Sequence, residues 1–120
     1  MSDPQAQPEP LSATAVSKIA GSGDVELIDV RQVDEFEAGH IAGARHIELG
    51  ELPSRAAEIN REQKVVFYCR SGARSAMATD AFAEAGYDVH NMSGGLISWV
   101  ESQLPLEPAD GEVAEPRPPS

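Results

Sequence analysis

Lys64-Val65-Val66-Phe67-Tyr68, followed at once by Cys69-Arg70-Ser71-Gly72-Ala73-Arg74, is the stretch on which the reading of this chain turns. Val65 to Tyr68 are β-branched or aromatic without polar alternation, the pattern of a central strand covered on both faces. The next six residues are small or cationic, and beyond them Met77, Ala78, Ala81, Phe82 and Ala85 share a helical stripe that stops at Gly86. A buried strand, a tight polar loop and a helix are what a parallel α/β sheet is built from.

The flanking segments continue the alternation. Ala15, Val16, Ile19 and Ala20 repeat at helical spacing between a Ser12 cap and Gly21, and Val25 to Val30 reads as a strand. A short helix is expected over Val33 to Ala38. Leu49, Leu52, Ala56 and Ile59 lie on one helical face, with Pro53 tolerated in its first turn. Asp88 to Met92 suits a further strand, and Leu96, Trp99, Val100 and Leu104 a last helix in which Trp99 is core. No internal repeat is visible.

The chain has 120 residues, 12.8 kDa in all, enough for one domain. Twenty acidic residues against nine basic ones give a net charge of −11, which disfavours nucleic-acid and anionic-membrane partners. A hydrophobic content of 41% with a mean hydropathy of −0.31 suits a soluble core and argues against disorder throughout. Eight of the nine prolines lie outside the middle, which contains only Pro53. Residues 1–10 and 106–120 are therefore expected to be flexible tails, the second acidic and proline-rich, around a domain at 11–105 that carries a charge of −6. No apolar run is long enough to span a membrane and no secretory signal is visible, so a cytoplasmic protein is expected.

Cys69 is the chain's one cysteine, so no internal disulfide can form. It closes the central strand just before a helix, where open α/β sheets place ligands. Ser71, Gly72 and Ala73 let the backbone curl so that successive amides can face the sulfur. Those amides, the helix N-terminus and Arg70 and Arg74 all favour the thiolate, so no histidine base is required. A nucleophile activated by field suits a leaving group that departs as a stable anion, as sulfite does in sulfur transfer. The plainer reading makes Cys69 a small core hydrophobe. Two guanidiniums flanking the turn point instead to an anion.

With Leu27-Ile28-Asp29-Val30-Arg31, Glu35-Phe36, Gly39-His40-Ile41-Ala42-Gly43-Ala44, Tyr68-Cys69-Arg70-Ser71-Gly72-Ala73-Arg74-Ser75 and Gly94-Gly95-Leu96 with Trp99, residues 11–103 resemble a single-domain rhodanese. The resemblance implies a three-layer sandwich, with a parallel five-stranded sheet and helices on both faces. It implies that Cys69 carries transferable sulfur as a persulfide. The loop Arg70, Ser71, Gly72, Ala73 and Arg74 would cradle it, with both arginines receiving an anionic donor such as thiosulfate. Cyanide would serve as acceptor in an assay, and a thiol or partner protein in a cell. A thiosulfate sulfurtransferase without cofactor is the expectation, and a sulfur-carrier or partner-binding module the alternative. The missing second cysteine requires the acceptor to come from outside the chain. Cysteine phosphatases and arsenate reductases need five residues between cysteine and arginine, whereas four intervene here.

Other residues are assigned supporting parts. Asp29, ending a strand beside that of Cys69, could brace the loop through its amides or cap a turn. Arg31 and Glu35, four apart, could pair as a structural clip. His40 is expected to bond the backbone, and His46 and His90 are weaker candidates for chemistry. Three scattered histidines and one cysteine lack metal-ligand spacing, so no metal is expected. Ser93-Gly94-Gly95 reads as a loop into a capped helix.

Overall fold

In the computed structural model, which describes residues 8–116, β3 (Lys64–Tyr68) lies between β1 (Val25–Asp29) and β4 (Val89–Asn91), with β2 (Arg45–His46) beyond β1. Every pair is parallel. The register sets Asp29 beside Tyr68 and His46, and Phe67 beside Asn91, so all four strands finish along one edge. Cys69 follows directly on that edge.

The sheet has four strands, not the five that the resemblance implies. Leu11 stands where a fifth would run, but it makes only an isolated parallel bridge to Met92. Pro8 and Pro10 have no amide to donate to a ladder, and Ser12 already caps the next helix by accepting from the Ala15 amide at 3.1 Å. One residue is all that remains to pair.

Strand alternation divides the core. Val65, Phe67 and Cys69 face one side with Ile28, Val30 and Val89, covered by α3 (Leu52–Arg55) and by Ala78 and Phe82 of α4 (Ala73–Glu84). Val66 and Tyr68 face the other, covered by Ala13 and Val16 of α1 (Ala13–Ile19) and by Leu96 and Trp99 of α5 (Gly95–Glu101). This is the sandwich with helices on both faces. α2 (Val33–Ala38) caps the end of β1. The helix expected over 49–59 is instead broken into 3-10 turns at Leu49–Glu51 and Ala56–Glu58 around α3. Gly50 and Pro53 weaken its start, while Leu52 and Ile59 are buried and Leu49 and Ala56 partly buried without a continuous ladder.

The boundary expected at 105 falls inside a set of contacts. The Trp99 indole donates to Pro105 O at 2.8 Å, His40 and Glu107 exchange both backbone hydrogen bonds, and the Glu112 amide donates to Ala38 O. Leu106 and Val113 pack against the second core face. At the other end, Leu11 pairs with Asn91 and Ser93, and the His90 ring donates to Glu9 O. Residues 1–7 and 117–120 of the expected tails lie outside the described residues. Among those described, no helix is long and apolar enough to cross a membrane.

Candidate active site

Gly72 opens the loop onto α4. Its φ of 105°, a left-handed value that side chains disfavour, turns the chain sharply enough for the following amides to face back toward β3. Cys69 Sγ accepts from the Gly72 amide at 3.1 Å and the Ser75 amide at 3.5 Å, and the Ser75 hydroxyl lies within donating distance at 3.4 Å. Cys69 is fully buried, which alone would raise the thiol. The Ser75 hydroxyl and the amides of Ser75, Gly72 and Ser71 outweigh that burial and bring it below the ordinary value. Complete burial fits a core cysteine, but a core hydrophobe has no use for three converging donors.

The two arginines part company. Arg74 forks onto Glu35, with contacts of 2.8 and 2.9 Å to its two carboxylate oxygens. Its charge still favours the Cys69 thiolate, while one donor of each terminal nitrogen is committed to Glu35. Arg70 has no ion-pair partner among the described residues, and its buried Nε has no hydrogen-bond partner there. It is the cation of the loop that no carboxylate holds among the described residues. Glu35 is fully buried and also accepts from the Gln32 amide at 3.0 Å. Burial pushes its carboxyl up, but the Arg74 and Gln32 hydrogen bonds prevail and hold it below the usual carboxylate range.

That pair carries a prediction. A carboxyl lowered by folding contributes stability in full above its unfolded value, and the contribution is lost as pH falls through the folded one. Arg74→Ala leaves a buried Glu35 without its cation, and should cost roughly 2 kcal/mol at neutral pH once the partial exposure of Arg74 is discounted. Urea unfolding should show the loss at neutral pH, and the difference from the wild type should shrink as pH falls through the folded value of Glu35, because a protonated carboxyl no longer needs the cation.

With this geometry in place, the chain can be compared with known proteins. Residues 12–102 match the sequence model of the rhodanese-like domain. The chain belongs to the rhodanese-like family. It is 37% identical over 101 residues to a sulfurtransferase of Allochromatium vinosum, covering 83% of this chain and 94% of that one. It is 40% identical over 89 residues to an HTH-type transcriptional regulator of Mycobacterium tuberculosis, covering 72% of this chain but only 39% of the regulator's length. A Bacillus subtilis protein provisionally named a sulfur carrier is 36% identical over 83 residues, 68% of this chain and 45% of that protein. Among solved structures, a rhodanese-related protein from Thermoplasma volcanium superposes with a TM-score of 0.77 at 26% identity, covering 82% of this chain and 96% of that one.

Within this rhodanese-like domain, Asp29 and Arg31 pair with each other. The Asp29 carboxylate accepts from the Arg31 amide at 2.9 Å and from its guanidinium at 2.6 to 3.1 Å, so it braces its own turn. A two-residue separation at a strand end brings both groups of Arg31 to one carboxylate, closer than the Cys69 amides. The expected Arg31–Glu35 clip is therefore replaced by two pairs, Arg31 with Asp29 and Arg74 with Glu35. Arg31 also donates to Gly39 O at 2.8 Å, which ties β1 to the end of α2.

Each of the three histidine rings donates to a backbone carbonyl. His40 donates to Phe36 O at 2.8 Å and stacks on the Phe36 ring, and His46 donates to Arg31 O at 2.6 Å. Among the described residues no cluster of histidine, cysteine or acidic side chains could hold a metal. Ser93-Gly94-Gly95 leads into α5 as expected, with Gly94 at its N-cap and no side-chain cap bond, and the Ser93 hydroxyl donates to Leu11 O. The first amides of α5 are spent on the cysteine loop, Leu96 donating to Cys69 O at 2.8 Å and Ile97 to Arg70 O at 3.0 Å. This contact demands glycine at 95, where a Cβ would lie 2.5 Å from Arg70 O. Sequence reasoning missed Ser75 as a donor to the sulfur, and Asn91 behind it. Ser75 closes the quoted cysteine motif and Asn91 lies in the expected strand from Asp88 to Met92, but only the fold shows where they point.

Proposed function

We propose that the chain is a sulfurtransferase that works by double displacement through a Cys69 persulfide. The Cys69 thiolate attacks the outer sulfur of thiosulfate or a similar sulfane donor. The sulfur–sulfur bond breaks and sulfite leaves with the bonding pair. A nucleophilic acceptor, cyanide in an assay and a thiol or partner protein in the cell, then attacks the outer sulfur of the persulfide and regenerates the thiolate. The single observation that carries this reading is the set of Gly72 and Ser75 donors around a sulfur whose thiol is held below its ordinary value. Ser71, Gly72 and Ala73 contribute the turn, Arg70 meets the anionic donor, and Arg74 adds charge from its place on Glu35.

Steady-state sulfite release, measured while varying thiosulfate at several fixed acceptor concentrations, tests the reading. Double displacement predicts parallel double-reciprocal lines, and intersecting lines would contradict it. Arg70→Ala should raise the thiosulfate KM by roughly tenfold while leaving urea unfolding unchanged, because this cation has no partner to abandon. An unchanged KM would remove Arg70 from donor binding.

A second reading is a sulfur carrier or partner-binding module without efficient turnover of small molecules. The likeness to the Bacillus subtilis protein named as a carrier favours it, as does the lack of a second cysteine to discharge the persulfide internally. A chain that takes up sulfur from a protein persulfide but turns over thiosulfate poorly would decide for the carrier.

A further inference from the structure

Asn91 ends β4 on the sheet face that carries Val89, Phe67 and Cys69. Its Nδ2 donates to Gly72 O at 3.1 Å, and its Oδ1 accepts from the Ser75 hydroxyl at 2.6 Å. The amide cannot turn over, since that would set Oδ1 against the Gly72 carbonyl, acceptor against acceptor. The Ser75 hydroxyl has one proton and faces three acceptors, namely Asn91 Oδ1 at 2.6 Å, Gly72 O at 3.3 Å and Cys69 Sγ at 3.4 Å. Geometry awards the proton to Asn91.

We infer that Asn91 is a positioning residue that holds the Ser75 proton away from Cys69 while the sulfur is a thiol, and so sets the pH at which the thiolate forms. The inference rests on the proposed use of Cys69 as a nucleophile. In the thiol state Ser75 donates to Asn91, and its oxygen is free to accept from the S–H group. In the thiolate state the hydroxyl turns to the sulfur and gives up its short bond to Asn91. The Asn91 oxygen thus competes with the thiolate for one donor, and the site trades some ionisation of the resting cysteine for a fixed orientation of Ser75 and Gly72.

The test is the pH dependence of iodoacetamide alkylation, which reports thiolate directly and is read without ambiguity in a chain with one cysteine. The charged or titratable groups near the site are Arg70 in the loop, Arg74 on α4, Glu35 on α2, Asp29 and Arg31 at the end of β1, and His90 on β4. None is changed in the comparison. Asn91→Leu removes the competing oxygen at similar volume, and the midpoint should move down by about one pH unit. In a Ser75→Ala background, the same substitution should leave the midpoint where Ser75→Ala puts it. An unchanged or raised midpoint for Asn91→Leu overturns the inference, as does an equal downward shift in the Ser75→Ala background. Should the leucine variant not fold, Asn91→Ala carries the same comparison. Alkylation needs no sulfur donor, so this result stands apart from sulfite release, which decides whether the chain transfers sulfur.

Discussion

Cys69→Ser is expected to abolish sulfite release from thiosulfate, by at least about a thousandfold, in a protein that unfolds at nearly the wild-type urea concentration. The hydroxyl of serine fits the space of the thiol and can accept from the same Gly72 and Ser75 donors. It does not ionise near neutral pH, so the donors that favour a thiolate cannot make it a nucleophile, and it cannot hold sulfur as a persulfide. Activity and stability therefore separate at this residue. A Cys69→Ser protein that still released sulfite would remove the cysteine from the reaction.

The largest loss of stability is expected at Arg31. Its side chain and that of Asp29 are both fully buried, and the guanidinium joins the carboxylate, the Gly39 carbonyl and the face of Tyr68. Burial opposes its charge, but Asp29 prevails and raises it further above its ordinary value. Arg31→Leu leaves a buried carboxylate without its cation, and should cost roughly 3–5 kcal/mol in urea or thermal unfolding. Adding Asp29→Asn to Arg31→Leu should cost less than the two changes summed, because the second removes the orphaned charge left by the first. Additive losses would mean that the two side chains act independently.

How far the sequence reads this molecule depends on the range over which each signal acts. β3, its loop and α4 are legible because apolar continuity, small turn residues and a helical stripe follow one another without a break from Lys64 to Glu84. Cys69 is legible for the same reason. The fifth strand fails because the resemblance carries a strand count, whereas Pro8, Pro10 and the Ser12 cap leave only Leu11 to pair. Arg74 shows the limit most clearly. Beside Gly72 it reads as an anion-binding residue, yet its partner lies 39 residues earlier on α2, and no local pattern brings Glu35 to it. Asp29 and Arg31 are close in sequence, but whether the aspartate faces the cysteine loop or its own turn depends on which amide the strand end presents first. Ser75 and Asn91 meet only because α4 begins beside the end of β4.

Intact-protein mass spectrometry after incubation with thiosulfate tests the central claim most directly. The persulfide account predicts a gain of one sulfur, about 32 Da, located at Cys69 and lost on addition of cyanide or a thiol. A folded, reduced protein that gains no mass from thiosulfate or from a protein persulfide would contradict it.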